Sequence, residues 1–185
     1  MDLVDLIAEK RFLGQEFLTW LWFKSEERGG SVDLPGRGDI TVVFEKHMLL
    51  EYGEGESNEK CICTGLQTEL QEARTGLQMG KKLEQARIQL ILGDYEYNFT
   101  LAAAMMEFRN VKLPKTAGTE ESGNDPEAVE GMVLERIFLV EELVRAVNGL
   151  FRLYLEKRTG HAWPAELRNL RQWIHAPVQL PGAEG

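Results

Sequence analysis

Between Arg11 and Glu27 the chain has no proline, and its apolar residues recur at helical spacing. Leu13, Phe17, Trp20 and Leu21 share one broad arc, and Gln15, Thr19 and Glu26 take the opposite face. Trp22 falls in the middle of that polar face, flanked by Phe12 and Phe23. A helix that is apolar on so many sides is buried on more than one of them. The pattern predicts a helix that stops at Gly29-Gly30 and lies between two layers, or between its own domain and a partner. Trp22 and Phe23 are the residues it offers to such an interface.

The period then changes to two. Ile40, Val42 and Phe44 alternate with polar neighbours, and Met48, Leu50 and Tyr52 follow after an expected turn at Lys46-His47. Residues 59–64 read as a third strand, and 68–79 as a short helix closed by Gly80. The clearest hairpin is Ala86-Ile88-Leu90-Leu92, a Gly93-Asp94 turn, then Tyr95-Tyr97-Phe99-Leu101. Residues 105–113 extend the sheet. After a polar loop at 114–125, Asp125-Pro126 opens a long helix as N-cap and first helical residue, running to about Thr159. That helix is also apolar on too many sides for a surface helix. A last helix covers 164–173, and 177–185 is a flexible tail.

Short turns join the strands, where a parallel sheet would need helical crossovers. The expectation is therefore an α+β domain over 1–176. An antiparallel sheet packs with the aromatic N-terminal helix and the long C-terminal one.

The 185 residues suffice for a core without disulfides or a structural metal. Two cysteines, Cys61 and Cys63, point to free thiols in a reducing compartment. No targeting segment or membrane span stands out, so the expected location is cytoplasmic, or nucleoid if DNA is bound. Gly76-Leu77-Gln78-Met79-Gly80-Lys81-Lys82 departs from a phosphate loop in its spacing and in having Lys82 where a hydroxyl is needed. His47, His161 and His175 form no ligand pair with the thiols, and no nucleophile–base order stands out. The expectation is a protein that is not an enzyme and has no metal or cofactor.

A net charge of −9 argues against a uniformly basic nucleic-acid coat. The charge is uneven, however. Residues 1–63 sum to −6, 64–115 to +1, 116–160 to −4 and 161–185 to zero. Two basic groups emerge from this. Arg74, Lys81, Lys82 and Arg87 form one; Arg152, Lys157, Arg158, Arg168 and Arg171, interleaved with Trp163 and Trp173, form the other. Such clusters hold phosphates, and such rings stack on bases. The plainer reading is helix faces and C-terminal dipole partners.

The phrase Arg11-Phe12-Leu13-Gly14-Gln15-Glu16-Phe17-Leu18-Thr19-Trp20-Leu21-Trp22-Phe23 resembles the start of the C-terminal half of RdgC-like recombination-associated proteins. The similarity continues through residues 39–44 and 49–51, at Gly80-Lys81 and Ala86-Arg87, and from Leu134 to Phe151. The resemblance implies a DNA-associated accessory protein that binds without sequence preference, forms a dimer and modulates a recombinase. Family members are longer, so a second chain supplying an N-terminal half is an expected partner. The alternative is an interaction subunit, a homo-oligomer or part of a partner-chain assembly, without direct DNA contact.

Overall fold

The computed structural model describes residues 3–27, 29–52, 59–64, 68–115 and 126–177. Within them lie α1 (Leu3–Glu27), β1 (Ser31–Leu34), β2 (Gly38–Tyr52), β3 (Glu59–Thr64) and α2 (Thr68–Gln78). There follow β4 (Lys82–Leu92), β5 (Tyr95–Ala102), β6 (Glu107–Lys112), α3 (Pro126–Thr159) and α4 (Trp163–His175). Most of the expected loop at 114–125 and of the tail at 177–185 lies outside the described residues.

The fold is α+β. Every strand pairing is antiparallel, in the order β1-β2-β4-β5-β6, and β3 also pairs with β2. The fifteen-residue β2 organises this sheet. One edge takes β1 at its start and β3 at its end, and the other takes β4 throughout. The turn expected at Lys46-His47 is instead a bulge inside one continuous strand. The register to β4 shifts between Phe44 and Met48. Four steps along β2 there match two along β4, and the polar Lys46-His47 pair interrupts the apolar run, which is why one strand reads as two although Ile40, Val42, Phe44, Met48 and Leu50 keep one alternation. The four residues of β1 carry too short a pattern to have been read. The β4–β5 hairpin forms as its pattern predicts, with Gly93 at φ +57° in the turn.

All four helices lie on one side of the sheet. Ile40, Val42, Phe44, Ile88, Leu90, Tyr97 and Phe99 point toward them and are buried. The other face stays accessible, with Val43 exposed and Arg87 paired to Glu45 at 2.5 Å. α1 rests on β2 and β4, while α3 and α4 pack against it and α3 reaches β1. Gly14 makes the closest approach to the sheet. A Cβ built there would stand 2.0 Å from the Ala103 carbonyl oxygen. No described helix is long and apolar enough to cross a membrane.

Trp22 and Phe23 require a correction. Trp22 is 1% exposed and Phe23 4%. Trp22 stacks on Phe44 and meets Trp173 edge-on, and Phe23 also touches Trp173. α4, about 150 positions further along the chain, supplies the second layer, so neither residue is available to a partner. The expectation of burial on two sides holds; the expectation of an exposed interface at these two residues does not.

Candidate functional site

Of the nine basic residues, the fold commits Arg74, Arg87 and Arg158 to its own carboxylates. Arg74 is buried. It donates to Glu26 at 2.6 Å, and its guanidinium lies 4.3 Å from the Trp173 ring centroid. Glu26 also accepts the Trp173 indole N–H at 2.8 Å, so α1, α2 and α4 are tied at one point. Arg87 sits on the accessible sheet face with Glu45. Arg158 donates to Glu16 at 3.0 Å, and hydrogen bonding to that carboxylate raises its pKa.

Lys81, Lys82 and Arg171 are brought together. The turn after α2 ends in Gly80, whose φ of +88° reverses the chain into β4 and carries the two lysines to the start of that strand. Together with Arg171 of α4 they line a cleft of about 300 Å³. Phe12 of α1, half exposed, forms part of its wall, and Leu77 and Leu167 are among its apolar lining. The Arg158 guanidinium lies 5.6 Å from the Phe12 ring centroid. Among the described residues, neither Lys82 nor Arg171 forms an ion pair. The two basic groups, distant in sequence, thus meet in part at one cationic cleft beside an aromatic ring.

The remaining residues do not join it. Arg152 faces a cavity of about 530 Å³ between α3 and the β1–β2 turn, where Arg37 and Arg145 both bind Glu142. Lys157 lines an adjoining cavity of about 330 Å³. Arg168 is exposed on α4 and lines neither space. Residues 152, 157 and 158 diverge because successive helical positions turn by about 100°. The two tryptophans are also engaged internally. Trp163 meets Tyr154 edge-on and Trp173 meets Trp22, so Phe12 is the accessible ring at the cleft. Its position on the polar side of the α1 pattern was the available signal.

Below the cleft, α1 is anchored by a charge network. Arg11 binds both Glu51 and Glu84, whose side chains are 7% exposed. Gln15 donates to Glu84 at 2.9 Å, and Lys60 stands 3.3 Å from Glu51. Each carboxylate therefore has a cation, as burial demands.

A second surface stands apart. Val129, Val133, Ile137, Val140 and Val144 of α3 are all exposed, 36% to 50%. Their spacings of four, four, three and four place them on one stripe beside the face that packs on the core. Leu134 and Phe138 are exposed next to it. Among the described residues no group of three or more His, Cys, Asp or Glu is arranged to hold a metal.

No family model, curated protein or solved structure matches the chain.

Proposed function

We propose that this chain is a non-enzymatic DNA-associated accessory protein that holds the phosphate backbone at the cleft of Lys81, Lys82 and Arg171. The observation that carries the reading is their convergence around an exposed Phe12. Cations carried by a glycine turn and by a helix meet phosphates, and a neighbouring ring accepts an unstacked base. Gln15, Glu16 and Thr19 also line the cleft but are hydrogen-bonded to Glu84, Arg158 and the Gln15 carbonyl, which fits binding without sequence preference. The resemblance to RdgC-like proteins points the same way and extends the proposal to modulation of recombination.

Salt-dependent binding to random-sequence DNA tests it. Three neutralised phosphates give a slope of log affinity on log salt of about −2.7 on duplex and about −2 on single strands. Replacing Lys81, Lys82 and Arg171 together by glutamate is expected to abolish binding. Arg87→Glu and Arg152→Glu, outside the cleft, are expected to leave it within about threefold. Failure of the unsubstituted chain to bind either form of DNA at low salt rejects the reading.

The α3 stripe supports a second reading, an assembly subunit binding another protein or a second copy. Apolar patches of this extent on a helix are a mark of interfaces. Light scattering on the unsubstituted chain and on Ile137→Glu distinguishes the two. A monomer at every concentration removes self-association, and assembly lost in the variant with unchanged melting locates it on α3.

A further inference from the structure

We propose that Cys61 and Cys63 form a reversible thiol–disulfide pair on the edge of the sheet. They are the chain's two cysteines, so an intramolecular disulfide has this one solution. They alternate on β3 and therefore share a face, opposite Leu50 and Met48 of β2. Their sulfurs stand 3.7 Å apart. Cys61 is half-buried and Cys63 is buried. The pair has an outer sulfur for an oxidant to reach and an inner one to resolve the adduct.

Residues two apart on a strand have Cα atoms about 6.6 Å apart. That lies at the upper end of the roughly 4.4–6.8 Å range that a disulfide spans. Closure draws the two residues together and puckers the strand. Among the described strands β3 pairs with β2 alone, so only one ladder resists that movement. A bond formed at the edge of its geometric range is more readily reduced, which is the behaviour of labile disulfides.

The oxidant is a small disulfide such as oxidised glutathione. The Cys61 thiolate attacks one of its sulfurs, the glutathione S–S bond breaks, and one glutathione leaves as a thiolate. Cys63 then gives up its proton and attacks Cys61 Sγ in the mixed disulfide, expelling the second glutathione. Two protein thiols lose two electrons and two protons, and one glutathione disulfide becomes two glutathione molecules. Closure acts beside Lys60, whose ion pair with Glu51 belongs to the network that anchors α1.

The full chain, equilibrated in graded glutathione buffers, acid-quenched, alkylated and weighed by mass spectrometry, provides the test. Both thiols are expected to vanish at one common ratio, with loss of two hydrogens and no bound glutathione. Cys63→Ser is expected to accumulate one glutathione on Cys61. If that variant fails to fold, Cys61→Ser serves instead, with Cys63 expected to resist glutathione at least tenfold longer than Cys61 does in the parent chain. The proposal is overturned by a stable glutathione adduct in the parent chain, by disulfide-linked dimers in place of the closed monomer, by two thiols that stay reduced at every ratio, or by rapid modification of Cys63 in Cys61→Ser.

Discussion

Trp173 meets Trp22 edge-to-face, with ring centroids 5.0 Å apart and planes at 87°. The contact joins the last helix to the C-terminal end of the first, and it explains why a tryptophan sits on the polar side of α1. Trp173→Ala is expected to lower unfolding free energy by about 3 kcal/mol, from lost aromatic contact and the space left behind. Trp22→Glu is expected to unfold the chain. Denaturant titration followed by circular dichroism checks both. A folded Trp22→Glu protein that merely fails to assemble would return Trp22 to the surface.

Gly14 has a steric role. Gly14→Ala pushes a methyl group into the Ala103 carbonyl, a backbone atom that cannot swing aside. The expected loss is about 3 kcal/mol, the upper end of ordinary overpacking. Gly131→Ala, on α3 with nothing within 4 Å of the added carbon, is the matched control and is expected to stabilise slightly. Similar melting temperatures for the two variants would contradict the close approach.

Arg11→Met is expected to cost about 3 kcal/mol, because it removes the cation paired with the buried Glu84, leaving the Gln15 amide bonded to it, and weakens the hold on Glu51. The cost stays near the low end for a broken buried pair because water reaches the Arg11 side chain, which is 35% exposed. Arg11→Met combined with Glu84→Gln is expected to recover part of the loss. Urea unfolding of the single and double variants measures the recovery, and strict additivity of the two costs would show that the groups are not coupled.

Tyr154 and Glu166 are among the groups that shape the pH dependence. Burial, reinforced by the Glu16 carboxylate, raises the Tyr154 phenol well above its ordinary 10.0. The unfolded chain releases that proton near pH 10 while the folded chain keeps it, so stability is whole below about pH 10 and falls above it. For Glu166, burial works upward, but hydrogen bonds from Lys24 and the Trp20 indole outweigh it and lower the pKa. Its contribution is present above an unfolded value of about 4.3 and is lost as pH falls through the folded one. Tyr154→Phe is expected to flatten the alkaline limb of a melting-temperature profile, and Glu166→Gln the acid limb.

Phe12 separates stacking from phosphate binding. Phe12→Ala is expected to weaken single-strand binding by about tenfold, within the roughly 1–3 kcal/mol of a base–aromatic stack, and to leave duplex binding unchanged. An equal loss on both substrates, measured by fluorescence anisotropy, would assign Phe12 to packing.

The hairpin at Gly93-Asp94 and the span of α3 were legible because each rests on local chemistry: a turn residue with positive φ, and a proline that starts a helix which runs for 34 residues. β2 was not, because the polar Lys46-His47 pair at the bulge interrupts its apolar alternation and reads as a turn. The site was legible only by residue type. Lys82 and Arg171 face one cleft, yet Arg152 and Arg158, six positions apart on one helix, face different spaces. Arg74 reads as one more cation until Glu26 and Trp173 are folded against it. Side-chain direction and the arrival of distant helices decide such cases, and neither is written in local composition.

The long helix α3 spans about 51 Å, at about 1.5 Å per residue. Its buried residues begin at Leu139, while the turns before it carry Val129, Val133, Leu134 and Ile137 into solvent. Those turns and the core-packed half belong to different cooperative units, because a helix of a few turns without tertiary support is marginal in water. Amide exchange is therefore expected to be fast up to about residue 138 and slow beyond it in the isolated chain. A molecule that seats on the stripe also completes the folding of the helix. Its affinity carries that ordering cost, and the strength of the complex becomes readable as protection of a dozen backbone amides.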